Sequence, residues 1–391
     1  MSVFGSFQTK FGLALEVTPG TPPSANPTKL LPVLPPPKPH DMIPFYADKG
    51  LRGIAAETFG HYQMQSPGTE LAIDGPFYPD AAGYFPMALL GAEAAVVAAP
   101  TNTTTTGTNT AGASTLTITS GTGYVNNAAI LIGTGATQEA NLIISGGTTT
   151  TLTLAGPLRF THSAGDTVSG GTLHQFSLAT APKTLTAWDF FGVDWRQYVY
   201  CNVEDFDLKW AAHTEATFAA KLRTFLSTVP STPTAPGTSS VPPFMGWQNG
   251  VLINATGQTN IEEANANWKR KTIAVPGANN SLNPVSIFGA ETSLMGKLRF
   301  QMGTESEYNH FRNADNAPIK IALFGPAPGA ITSVGATGML IQASQPAWTD
   351  AVIMRDKEYV EIEATYEADY NATDSGNSTV FLTNAYTTVY S

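Results

Sequence analysis

Two stretches of this chain repeat one order of elements, which restricts the fold to an architecture built on a duplicated unit. In the first half, Lys49-Gly50-Leu51-Arg52 leads through a polar segment to the alternating strand Thr69-Glu70-Leu71-Ala72-Ile73-Asp74, and a short helical patch from Tyr84 to Leu90 closes at Gly91. The second half runs Asn267-Trp268-Lys269-Arg270, a Gly/Asn/Pro-rich segment, the strand Gly296-Lys297-Leu298-Arg299-Phe300-Gln301, and a helical patch from Thr304 that ends in Ala322-Leu323-Phe324-Gly325. A second pair follows, since Asp205-Phe206-Asp207-Leu208-Lys209-Trp210 matches Tyr359-Val360-Glu361-Ile362-Glu363-Ala364 in pattern and in place within its half. In each, one face alternates apolar and the other polar, so each is a half-buried strand with a largely acidic wet face. Glu70, Asp74, Asp207, Glu361 and Glu363 are the candidates for that face.

Composition fixes the class around this unit. With 391 residues, two or three domains are expected. Charged residues are 13% of the chain, against 36 Gly and 28 Pro, which points to a turn-rich, mainly β protein. A net charge of −10 opposes tight binding to nucleic acid, which needs clustered Lys and Arg. The single cysteine, Cys201, sits in a strand-like run and reads as a small packing residue rather than a thiol nucleophile. No secretory signal opens the sequence and no apolar run is long enough to span a bilayer, so synthesis and folding in a cytoplasm, without membrane insertion, are expected.

Residues 18–40 are dense in proline and read as an extended arm lying across a neighbouring subunit. Residues 100–171 are rich in Thr, Gly, Ser and Ala. There Leu116-Thr119, Ile130-Ile132, Leu142-Ile144 and Leu152-Leu154 stand at strand spacing between glycine turns, as in a small inserted all-β domain, with 101–113 as linker. Residues 230–243 read as a second linker. The expected organisation is therefore 1–99 plus 172–229 as the first unit, 100–171 as the insert and 244–391 as the second unit. Thr304 and Glu307 fit a capping box for the second helix, whose Tyr308 and Phe311 would pack on a sheet, and Asp80 is a candidate cap for the first.

No constellation in the sequence carries catalysis. The six histidines, His40, His61, His162, His174, His213 and His310, lack metal-site spacing and read as surface or turn residues. Gly133-Thr134-Gly135 lacks the third glycine of a dinucleotide loop and reads as a turn. Asp369 to Asp374 resembles a calcium loop but lacks its glycine and its bidentate glutamate, so it reads as a polar loop. Trp188, Phe190, Phe191, Trp195, Trp210 and Trp268 are read as core or interface aromatics before any role in stacking on a sugar.

Lys49-Gly50-Leu51-Arg52, Gly68-Thr69-Glu70-Leu71 entering a strand, the helix closing at Leu89-Leu90-Gly91 and the strand Val203 to Trp210 together resemble the major tail tube proteins of long-tailed (siphovirus-type) bacteriophages. The likeness covers most of the chain outside 101–171. Within the insert, Leu158, His162, Gly165-Asp166 and Val168 resemble a small β-module of phage structural proteins. The resemblance implies a mainly β chain: two tandem tail-tube-like sandwich or barrel domains, each with one short helix, plus the inserted β-domain. It implies no enzyme activity, no catalytic residue, no cofactor and no metal. The implied partners are copies of the chain itself in stacked rings, a tape-measure protein, and tail terminator and tail-tip proteins. DNA would pass through an acidic lumen without specific binding, and the location would be the virion tail.

With two tube domains per chain, a homotrimer would give a pseudo-hexameric ring, and the segments Lys49 to Thr69 and Lys269 to Lys297 are candidates for loops bridging stacked rings. Two other readings stand beside this one. One is a different virion component, such as a head decoration or tail-tip protein; the other is a carbohydrate-binding surface adhesin.

Overall fold

The structure, a computed structural model, describes residues 9–47, 61–234, 236, 237, 239, 241–325, 335–355 and 357–390. Lys49 to Arg52 therefore lies outside the described residues. The chain is mainly β, with two α-helices among the described residues, α1 (Tyr84–Leu90) and α2 (Ser306–Asn313).

Its dominant element is a band of eight antiparallel strands within a larger sheet. In space the order is Lys38–Met42, Gly68–Pro76, Thr217–Thr224, Trp195–Ala211, Ile261–Val275, Ser286–Gln301, Glu361–Ala368 and Ala347–Met354. Numbered by sequence within each half, the first four strands lie in the order 1-2-4-3, and so do the second four. Each half also places its helix after its second strand, and follows it with a pair of strands in a second sheet: Gly91–Glu93 with Thr172–Leu178, and Ile319–Gly325 with Thr337–Ala343. The sequence match of Asp205–Trp210 to Tyr359–Ala364 is thereby corrected. By position in the sheet, Trp195–Ala211 corresponds to Ala347–Met354, and Thr217–Thr224 to Glu361–Ala368. Alternation recurs in every half-buried strand of one sheet, so pattern alone could not tell third strands from fourth.

The core lies between the band and the second sheet. Leu71, Ile73, Phe206, Leu208, Trp210, Phe218, Leu222, Trp268, Leu298, Phe300 and Ile362 turn inward from the band and are buried. Helix α1 is buried along its whole length. Phe85 stacks on Phe206 at 4.7 Å between centroids, and Gly91 ends the helix with φ 85°, where a side chain would also meet the Ala181 carbonyl. Helix α2 packs on the strands Ala347–Met354 and Glu361–Ala368, with Tyr308 and Phe311 against the core and His310 stacked on Trp348.

Several expectations need correction. The second helix stops at Asn313, where Ala314 takes φ 51°, and Ile319–Gly325 is a buried strand; Pro318 bars continuation of the helix, and the apolar run after it joins the second sheet. The Thr304/Glu307 capping box does not form, because the helix begins after Glu305 and the Thr304 hydroxyl meets that of Ser306. Asp80 does not cap α1, which starts after Gly83; its carboxylate takes Lys29 and the Ser239 hydroxyl instead. The proline-rich arm packs on its own chain. Lys29–Leu31 pairs with Lys10–Leu15, Leu30 and Leu31 are buried, and Lys38–Met42 joins the band as an edge, the one place in a sheet that tolerates Pro39.

The insert forms a six-stranded sheet between Thr103 and Gly170, around a core that includes Leu116, Ile130, Ile143, Leu152, Leu158 and Val168. Residues 101–113 belong to it rather than to a linker: Thr103–Thr104 is a strand, and buried Asn109 accepts the Thr117 amide at 2.8 Å. The insert docks on the outer side of the second sheet through Ala129 and Leu142 against Phe324, Leu340 and Phe381, with the Ala129 amide donating to the Thr383 hydroxyl at 2.9 Å. It is thus held away from the polar face of the band.

Cys201, Trp188, Trp195, Trp210 and Trp268 are buried, while Phe191 is exposed. His162 and His174 are not surface residues. Their imidazoles are fully buried, and each ring nitrogen has a partner, which makes burial tolerable. His162 bridges Glu139 at 2.7 Å and Asp166 at 3.3 Å, and His174 bridges Glu93 at 2.6 Å and the Tyr386 carbonyl at 2.8 Å. Buried Asp189, on the strand Leu185–Phe190, has its pKa pushed up by desolvation from 3.8 to about 6. Between those values the folded chain binds more protons than the unfolded one, so this carboxyl makes stability fall as pH rises through that window. Asp189→Asn is expected to abolish that fall and to gain about 2 kcal/mol at pH 8, read from urea unfolding at pH 4 and pH 8.

Candidate functional site: the polar face and free edges of the band

Alternation along the band sends its polar residues to the side opposite the core. Glu70, Asp74, Asp207 and Glu363 share this face, as the sequence led one to expect, together with Asp205, Glu263 and Glu367. Glu361 does not lie open on it: its side chain is 2% exposed and receives Lys357. Basic residues interleave with these acids. Lys221 and Arg223 both meet Glu70 at 3.6 Å, Arg223 meets Glu204 at 3.2 Å, Lys297 meets Glu363 at 2.7 Å, and Arg299 meets Glu263 at 3.3 Å and Glu363 at 3.1 Å. The hydrogen bond from Lys297 holds the Glu363 carboxyl below its usual range. Burial pushes Asp207 up, against the hydrogen bond from Asn265.

The halves meet inside this face. Asp205 to Ala211 pairs with Glu263 to Lys269, and across the seam Asn267 donates to Asp205 at 2.7 Å and Asn265 to Asp207 at 3.1 Å. The join is therefore a continuous ladder with carboxylate–amide bonds on its wet side and Trp210 and Trp268 on its core side. At the two ends of the band, among the described residues, Lys38–Met42 pairs only with Gly68–Pro76, and Ala347–Met354 only with Glu361–Ala368. Each leaves one side of its backbone unpaired among the described residues, the usual template for adding a strand.

One end of the band carries the two segments expected to bridge rings. Of the first, residues 61–69 are described; the second, Lys269 to Lys297, lies within the hairpin of Ile261–Val275 and Ser286–Gln301, with its tip at 276–285. They touch. The Gln65 amide donates to the Gly277 and Asn283 carbonyls at 2.9 and 3.0 Å and accepts the Gly277 amide at 3.0 Å, and the Ser66 amide donates to the Leu282 carbonyl at 2.8 Å. Phe45, Tyr46, Tyr62, Met64, Val285 and Phe288, on or beside these segments, are each at least half exposed. Apolar surface of that kind at one end of a molecule marks a contact site.

Among the described residues, no group of three or more His, Cys, Asp or Glu side chains converges as for a metal ion, and no helix is long and apolar enough to cross a membrane. The carboxylate of Asp374, in the loop that resembles a calcium site, is spent on the Ser344 amide and hydroxyl and on Asn371. No protein-family model matches the chain, and no curated protein sequence matches it.

Proposed function

We propose that this chain is the ring-forming subunit of a bacteriophage tail tube, whose stacked rings make a channel for genome delivery. The observation that carries the reading is the twofold 1-2-4-3 strand order, with the third strand of one unit joined edge to edge to the first strand of the next. All neighbours in the band are antiparallel, so its two free edges run in opposite directions. A second copy can therefore repeat the internal join, and a join of that head-to-tail kind closes into a ring. Three copies would close a barrel of 24 strands, six units round, and remove every free edge of the band. The polar face would then line the channel. Its interleaved charges offer DNA neither a continuous basic track nor an unpaired acidic wall. The apolar end formed by the two touching segments would stack on the next ring, and the insert would decorate the outside.

Negative-stain microscopy of concentrated protein, with symmetry analysis of end-on views, tests this. Hollow cylinders with three chains per ring are expected. Six chains per ring, or a stable monomer that never assembles, would refute the reading.

A further inference from the structure

We infer the register in which a second copy of this chain closes onto the first, resting on the ring reading above. The internal join is the template. In each unit the second and fourth strands form a ladder of eight residue pairs: Thr69 to Pro76 on Thr217 to Thr224, and Leu294 to Gln301 on Glu361 to Ala368. Laid end to end, these ladders place Thr217 on Glu361 and Thr69 on Leu294. Stepping outward from strand to strand, Asp205, Asp207 and Lys209 take the places of Asp350, Val352 and Met354. On the other side, Lys269 and Asn267 take the places of Met42 and His40.

The internal pairs Asp205·Lys269 and Asp207·Asn267 then become Asp350·Met42 and Val352·His40 between copies, with Met354 facing Lys38. Three features support this register. It uses the whole of Lys38–Met42 and the matching length of the opposite edge. It also puts Asp350 where Asp205 stands and His40 where Asn267 stands, so a carboxylate again meets a side-chain nitrogen across the seam, as in the 2.7 Å bond from Asn267 to Asp205. Finally, Lys38, His40, Asp350 and Val352 are all exposed in the single chain, Val352 by 48%. Pro39 has no N–H to offer, which weakens indiscriminate pairing of this edge in the free chain. A slip by four residues would keep both faces but oppose Met42 to Met354 and separate Asp350 from His40.

The test is cross-linking of the full-length chain carrying His40→Cys and Val352→Cys, oxidised or bridged by a short bismaleimide; native Cys201 is buried and does not compete. Covalent dimers and trimers are expected on non-reducing gels, with each single variant giving none. A Met42→Cys/Met354→Cys chain reports the slipped register and is expected to link at least tenfold less. Efficient linking of that second pair, or rings by microscopy with neither pair linked, overturns the register while leaving the ring intact. A chain that stays monomeric by light scattering overturns the ring reading itself.

Discussion

Arg270→Met is expected to cost about 3–5 kcal/mol of folding stability, because it removes the guanidinium that ties the two halves together in a dry site. Arg270 stands on the first strand of the second half and is 5% exposed. Its fork reaches into the first half, donating to the Ala88 carbonyl at 3.3 Å and to the Leu89 carbonyl, while Nε donates to the Thr292 hydroxyl at 2.8 Å. Those two carbonyls close the last turn of α1, where backbone acceptors lack helical partners and the helix dipole is negative. No basic side chain of α1 itself occupies its last turn, so a residue from the other half supplies the charge. Burial lowers the Arg270 pKa to about 10, still well above neutral pH, so the group stays cationic. Methionine would fill the space and leave two buried carbonyls unpaired. Arg270→Lys is expected to recover only part of the loss, since one ammonium does not reproduce the fork. Urea unfolding of the three proteins checks this, and a change below 1 kcal/mol for Arg270→Met would show that the bonds are dispensable.

The sequence shows the repeat, the insert and the mainly β class because each leaves a local mark. Alternation in Phe206-Asp207-Leu208-Lys209 and the strand runs around Leu116, Ile130 and Leu152 need only their own residues to be read. The pairing of strands needs distant ones. Nothing local in Trp195–Ala211 shows that it forks, its start pairing with Leu185–Phe190 and its later part with Thr217–Thr224 on one side and Ile261–Val275 on the other. The fork depends on a register break at Glu204 and on Tyr200 at φ 60°, whose amide donates to the buried Glu16 carboxylate at 2.9 Å, 184 positions away. The polar face was half legible. Its acids could be read off alternation, but the bases beside them come from neighbouring strands, so Lys221 and Arg223 neutralise Glu70 only once the ladder is known. His174 and Arg270 were missed for the same reason: their partners lie 81 and about 180 residues away.

The same logic makes the C-terminal tail a second clasp, and Tyr390→Ala is expected to destabilise the chain by about 3–5 kcal/mol. Tyr390 follows the last strand of the second half, yet its ring is 3% exposed in a socket built mainly from the first: Tyr84 at 5.6 Å, His174 at 5.0 Å and Phe176 at 5.7 Å between centroids. Its amide donates to the Glu93 carboxylate at 2.6 Å, and its hydroxyl accepts the Asn384 side-chain amide at 2.8 Å. Gly83 is part of that socket, since a Cβ there would sit 2.2 Å from the Tyr390 ring. Truncation to alanine opens a cavity beside α1 and His174, whereas Tyr390→Phe keeps the ring and loses only the hydroxyl contact, costing about 1 kcal/mol. Chemical unfolding of both variants separates packing from hydrogen bonding. Because the tail locks the second half onto the first, Tyr390→Ala is also expected to lower the yield of assembled rings under conditions where the monomer is still folded. An unchanged ring yield at full destabilisation would mean that the internal join alone holds the two units in the geometry a ring needs.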